Sequence, residues 1–126
     1  MRSMGALLVL FGTAAFGQLV PTCDGRPATI VATTPGVING TNSDDVIVGS
    51  SGNDQIFGGA GNDTICGGGG NDHITGGQGT DTLFGEAGED TFFWNPGDGS
   101  DRIEGATETD SLVMSGAVIG SRSGCP

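Results

Sequence analysis

Six aspartates recur at nine-residue intervals: Asp45, Asp54, Asp63, Asp72, Asp81 and Asp90. An ionised carboxylate offers hard oxygen acceptors and no donor. Glycines flank each one, at Gly49, Gly52, Gly58, Gly61, Gly67, Gly70, Gly76 and Gly79. Their carbonyls supply more hard oxygens without side chains in the way. An all-oxygen set in a flexible loop suits Ca²⁺, which takes six to eight such ligands. Zn²⁺ prefers nitrogen or sulfur, and Mg²⁺ releases its water reluctantly. The rest of the chain carries little other chemistry. His73 is the single histidine, so neither a zinc site nor a catalytic triad can be assembled. Ser100 lies in Gly-Asp-Gly-Ser-Asp, which is not a nucleophile elbow, and His-Glu-x-x-His is absent.

These aspartates need a scaffold that holds them in register, and the residues between them supply it. Read from Gly49, the blocks are GSSGNDQIF, GGAGNDTIC, GGGGNDHIT, GGQGTDTLF and GEAGEDTFF, preceded by a looser GTNSDDVIV from Gly40. The eighth position is always large and apolar: Ile56, Ile65, Ile74, Leu83 and Phe92. Its neighbours are polar, small or variable, so each block ends in a short strand with its middle side chain facing a core. The first six residues reverse the chain, which glycine allows through positive φ. Asn53, Asn62 and Asn71, each just before an aspartate, read as turn residues tolerant of left-handed geometry. Two blocks make one coil with a strand on each side. Strand i then pairs in parallel with strand i+18. Asp45, Asp63 and Asp81 stack on one edge, and Asp54, Asp72 and Asp90 on the other. At roughly 4.7–4.9 Å between rungs, such carboxylates repel unless a cation lies between them. The expected pairs are Asp45/Asp63, Asp63/Asp81, Asp54/Asp72 and Asp72/Asp90. A flexible linker of similar composition would not keep the eighth position in phase.

The blocks match G-G-x-G-x-D-x-U-x, and the chain resembles the repeats-in-toxin (haemolysin-type) calcium-binding nonapeptide proteins. The resemblance implies an all-β fold, a parallel β-roll or right-handed β-solenoid. It also implies Ca²⁺ held by sixth-position aspartates and loop carbonyls of adjacent turns. It is close over residues 40–93 and weaker over 97–117, where GDGSDRIEG and TETDSLVMSG look like degenerate end repeats. Departures are Ser50 and Glu86 at the second position, Ser43 at the fourth and Glu89 at the fifth. Spacing slips between Asp90 and Asp101, and returns to nine residues from Asp101 to Asp110.

Composition sets the conditions. The chain has 126 residues, 26 of them glycine, and a formal charge of −11. That excess opposes binding to nucleic acid or anionic membranes. It also opposes compaction of the metal-free chain. The thin apolar row cannot alone offset the backbone entropy of so many glycines, so folding is expected to be coupled to Ca²⁺ binding. Met1-Arg2 followed by the apolar run 5–16 reads as a signal peptide over residues 1–17, too short to span a bilayer. Removing Arg2 with it takes the charge from −11 to −12. Residues 18–39 form an N-terminal segment or cap, 40–93 the calcium-binding roll, and 94–126 end repeats with a C-terminal cap or tail. Phe92, Phe93 and Trp94 read as an aromatic cover for the last coil.

Secretion into millimolar calcium suits weak sites of this type, and an oxidising compartment suits disulfides. Among Cys23, Cys66 and Cys125 the favoured pair is Cys23–Cys66, with the segment after Cys23 laid across the first coil to close its open end. Alternatives stay open in which Cys125 is free, pairs between molecules or replaces one of the others. The expected function is a secreted bacterial, extracellular or cell-surface calcium-binding β-roll. It is non-catalytic, with a structural, adhesive or calcium-buffering role and no protein partner legible. The alternative is a remnant, or an export and chaperone module, of a larger enzyme or toxin. An ice-binding face is disfavoured by the irregular outward residues Gln55, Phe57, Thr64, Cys66, His73, Thr75, Thr82 and Phe84.

Overall fold

The structure, a computed structural model, describes residues 20–105 and 110–114, and the backbone of Leu8–Leu10. It is a β-solenoid whose short strands alternate between two sheets, parallel except at the Leu8–Leu10 edge. The first sheet contains β1 (Leu8–Leu10), β4 (Ile30–Ala32), β6 (Val46–Val48), β8 (Thr64–Cys66), β10 (Thr82–Phe84) and β12 (Arg102–Glu104). The second contains β5 (Val37–Asn39), β7 (Gln55–Ala60), β9 (His73–Gln78), β11 (Thr91–Trp94) and β13 (Ser111–Met114). Strands β2 (Thr22–Cys23) and β3 (Arg26–Pro27) form a separate hairpin. Pairing follows the two-block coil: Ile47 faces Ile65, Ile65 faces Leu83, and Ile56 faces Ile74.

The eighth-position side chains make the core. Ile47, Ile56, Ile65 and Ile74 are fully buried, and Leu83 and Phe92 nearly so, in one cluster between the sheets. Phe92 is therefore a rung of the core rather than an aromatic cover. It is followed by further rungs, where Leu83 faces Ile103 and Phe92 faces Leu112. The core also begins before Gly40. Ile30 and Ile38 belong to the same cluster, and β4 and β5 pair in parallel with β6 and β7. Their loop, Thr33-Thr34-Pro35-Gly36, lacks the Gly/Asp pattern, so the repeat alone does not reveal it.

Slippage after Asp90 resolves as one insertion at a corner. Asp63 and Asp81 are linked across 18 residues, Asp81 and Asp101 across 20, and Asp90 and Asp110 also across 20. The extra residues lie in the Asn95–Asp98 turn, which both later ladders span, so each gains the same two positions and stays in register.

The hairpin turns at Asp24-Gly25, with φ of 53° and 77°, as a two-residue turn with both central residues left-handed requires. It does not close the end of the roll. It lies against the outer face of the first sheet, where Cys23 and Ala28 form a second apolar cluster with Val31, Val46 and Cys66. Cys23 and Cys66 are disulfide-bonded across 43 residues, with Cα atoms 5.7 Å apart. The bond thus holds a flap onto a face, and β1 runs antiparallel along the β4 edge. The remainder of the expected leader, its cleavage site and Cys125 lie outside the described residues.

Closing a loop of this length removes about 4 kcal/mol of unfolded-state entropy in the chain model. Cys23→Ser/Cys66→Ser should lower the denaturant midpoint of the calcium-loaded protein accordingly. An unchanged midpoint would show that the flap adds nothing. Ile65→Ala, at the centre of the core row, should cost about 2–5 kcal/mol in the same assay.

Candidate metal centre

Each sixth-position aspartate sits at a corner where the loop enters a strand, and both ladders place these corners directly above one another. The backbone N–H of one aspartate donates to Oδ1 of the aspartate one coil later. The distances are 2.8 Å for Asp45 to Asp63, 2.8 Å for Asp54 to Asp72, 2.8 Å for Asp63 to Asp81 and 2.9 Å for Asp72 to Asp90. Asp81 and Asp90 donate in the same way to Asp101 and Asp110. At the start of the second edge, the Gly36 N–H reaches Asp54 Oδ1 at 2.9 Å. The structure thus brings together all four expected pairs and adds Asp101 and Asp110 to the columns.

The other carboxylate oxygen separates the loops. Oδ2 of Asp63, Asp72, Asp81 and Asp90 is buried without a hydrogen-bond partner, in side chains that are 0–1% exposed. A buried, unpartnered anionic oxygen is costly. Its surroundings explain the first-position glycines. A Cβ on Gly58 would lie 2.5 Å from Asp63 Oδ2 and 2.5 Å from the Gly76 carbonyl oxygen of the next coil. A Cβ on Gly67 would lie 2.5 Å from Asp72 Oδ2 and 2.9 Å from the Gly85 carbonyl oxygen. Gly76 is crowded by Asp81 in the same way, and Gly49 by the Gly67 carbonyl oxygen and Asp54. Glycine is needed here for space, since none of these first positions has positive φ. Fourth-position Gly61, Gly70 and Gly79 do, at 103°, 87° and 126°. Gly52 does not; it packs beneath Pro35.

The asparagines act differently from the sequence expectation. Asp24 and Glu86 alone among the described non-glycine residues have positive φ, so Asn53, Asn62 and Asn71 are not left-handed. Their side chains bridge coils instead. Asn53 Oδ1 accepts the Asn71 N–H at 2.8 Å, Asn62 Oδ1 the Thr80 N–H at 2.9 Å, and Asn71 Oδ1 the Glu89 N–H at 3.0 Å. Asp44 fills that role for Asn62. The 18-residue spacing of these side chains was the available signal, and turn propensity hid it.

Burial drives the electrostatics. Desolvation pushes the Asp72 and Asp81 carboxyls up to about 7 and Asp63 up to about 6. The N–H bond at Oδ1 opposes this, and neighbouring carboxylates reinforce it: Asp90 and Asp54 at Asp72, Asp101 and Asp63 at Asp81, and Asp45 and Asp44 at Asp63. Asp90, Asp101 and Glu86 are raised as well, again chiefly by burial. An arrangement of this kind calls for either a proton or a cation at Oδ2. Among the described residues no three acidic, histidine or cysteine side chains converge into a ready chelate. A cation here would draw on one carboxylate per coil and on loop carbonyls, a donor set that suits Ca²⁺ and not Zn²⁺.

The family model described as the RTX calcium-binding nonapeptide repeat (4 copies) matches residues 39–74 and 67–92, the segment that carries the six aspartates spaced nine residues apart, Asp45 to Asp90. A search of the curated proteins finds no match to the chain.

The raised carboxyls fix a pH dependence. Their folded values lie above the unfolded value of 3.8, so the folded metal-free chain holds more protons between about pH 4 and 7. Its stability therefore falls as pH rises through that window. Circular dichroism in chelator should show more β-structure at pH 5 than at pH 8, whereas apparent calcium affinity should be weaker at pH 5 than at pH 8, because protons compete for the same carboxylates. The opposite trend would remove the buried carboxyls as its cause. Gly58→Ala, whose methyl meets backbone on one side and Asp63 on the other, should cost about 1–3 kcal/mol and lower calcium uptake. Calorimetric titration checks the second effect.

Proposed function

Because residues 39–92 are RTX calcium-binding nonapeptide repeats forming a β-roll, we propose that this chain is a secreted, non-catalytic calcium-binding protein. Its Asp63, Asp72, Asp81 and Asp90 carboxylates, with loop carbonyls, would hold Ca²⁺ and tie successive coils together. The observation that carries this reading is the register of four buried, unpartnered Oδ2 atoms in two columns. Ca²⁺ supplies the positive charge that lets stacked carboxylates stay ionised at neutral pH. The chain's own atoms do the rest. N–H donors hold each Oδ1, glycines leave the gap beside each Oδ2, and the isoleucine row aligns the rungs.

Secretion is supported by the basic, then apolar, N-terminus, by the Cys23–Cys66 disulfide and by the fit of weak oxygen sites to millimolar calcium. The chemistry of the chain supports a structural, adhesive or buffering role. With one histidine in the chain and no activated nucleophile among the described residues, the described side chains offer charge and shape rather than bond-making groups. Calcium held by such coils converts binding free energy into folding free energy, so the protein would gain its shape after export.

Calorimetric titration of the oxidised protein, with bound ions counted, tests this directly. Calcium should bind with a rise in β-structure. Asp72→Asn, which removes a charge shared between two coils, should reduce both the ion count and the β-signal. Absence of calcium-dependent heat in the wild type would defeat the reading.

A further inference from the structure

The first two loops differ from those that follow at one atom. In the loop 40–45, Asp45 Oδ2 accepts the Thr41 N–H at 2.7 Å and the Thr41 hydroxyl at 2.9 Å. In the loop 49–54, Asp54 Oδ2 accepts the Ser50 N–H at 2.7 Å and the Ser50 hydroxyl at 2.9 Å. Each hydroxyl is itself fixed by a backbone N–H two residues on, from Ser43 at 3.0 Å and from Gly52 at 3.1 Å. The equivalent oxygen in the next four loops has no partner. There the second position is Gly59, Gly68, Gly77 or Glu86, at φ of 106°, 97°, 98° and 74°, and no hydroxyl is available.

We propose that Thr41 and Ser50 stand in for cations at the first two aspartates. The N-terminal coils, from β4 to β7, would then form a metal-independent base on which the calcium-requiring coils assemble. This rests on the calcium reading above and divides its sites into two kinds. Two donors aimed at one carboxylate oxygen occupy its lone pairs and place positive hydrogens where a cation would sit. A cation arriving there would have to displace both. At Asp54 the second oxygen is also satisfied, by the Gly36 N–H, so nothing at that corner calls for metal.

Other support gathers at the same end. The hairpin packs Cys23 and Ala28 against Val31 and Val46. The disulfide reaches one rung further, to Cys66 in β8, the strand that follows the first unpartnered carboxylate, Asp63. The base therefore ends where the need for metal begins, and a covalent bond holds the first metal-dependent strand to it. An ordered edge reduces the entropy of adding the next coil, as in other stacked repeats. Ordering by calcium would then run from the β7 end toward β13.

Hydrogen exchange with mass spectrometry on the oxidised full-length chain tests this, with and without chelator. In chelator, peptides from β4 to β7 should stay protected while those from β9 to β12 exchange freely; calcium should protect both. Thr41→Gly/Ser50→Gly should lose the chelator-resistant protection. By calorimetry it should also take up one more ion for each loop restored to glycine. Uniform exchange, or uniform protection, of the wild type in chelator overturns the proposal even if calcium binds normally. So does an unchanged ion count in the double variant. A wild type that neither binds calcium nor gains protection instead overturns the calcium reading itself.

Discussion

Everything in this fold follows from carboxylates stacked at strand spacing. From Asp54 onward, one oxygen of each is tied to a backbone N–H of the previous coil, and this bond continues the parallel ladder around the corner. The aspartate thus substitutes for a strand residue where the chain has to turn. The same stacking brings like charges close in a buried setting. The second oxygen cannot be left alone there, and three partners are open to it: a proton, a cation or a hydroxyl from its own loop. The chain uses the hydroxyl at Asp45 and Asp54 and leaves the oxygen unpartnered at the four aspartates that follow.

The apolar row complements this arrangement without dominating it. One side chain per block points inward, so the core is only one residue wide and every rung is needed to cover its neighbours. Lateral cohesion comes from the corners, through aspartate and asparagine side chains that accept N–H groups one coil apart. A core of this shape has no depth to absorb a misplaced loop. First-position glycines are accordingly fixed by what surrounds them: a methyl group on Gly49, Gly58 or Gly67 meets the carbonyl oxygen of the next coil, and one on Gly76 or Gly85 meets the buried aspartate of its own loop.

Much of this was legible in the residues. Period nine with an apolar eighth position gave the coil, the two sheets and both aspartate columns, because register in a parallel ladder is a matter of counting. The Cys23–Cys66 pair agrees with the structure, but its position on a face, rather than an end, does not follow from cysteine count. The Asp24-Gly25 hairpin signal was present and is what lays the flap down. Ile30 and Ile38 were hidden because their turn reaches the same geometry through other residues. Asn53 and Asn62 were misread because one residue type serves both turns and ladders, and only spacing distinguishes them. Ser50 looked like a blemish in the repeat. Its hydroxyl, four residues before an aspartate, has a chemical purpose that a consensus comparison discards.

Alternation of blocks between the two sheets has a consequence for how such a chain can change length. The faces are unlike: the first sheet lies partly beneath the hairpin, while the second presents Gln55, His73 and Phe57 to solvent. Duplicating or losing a single block would send every later strand to the opposite wall and exchange the two exteriors from that point on. Duplicating a pair would preserve them. Copy number in this lineage should therefore drift in even steps, whereas short corner insertions such as the one before Asp101 are free to accumulate singly.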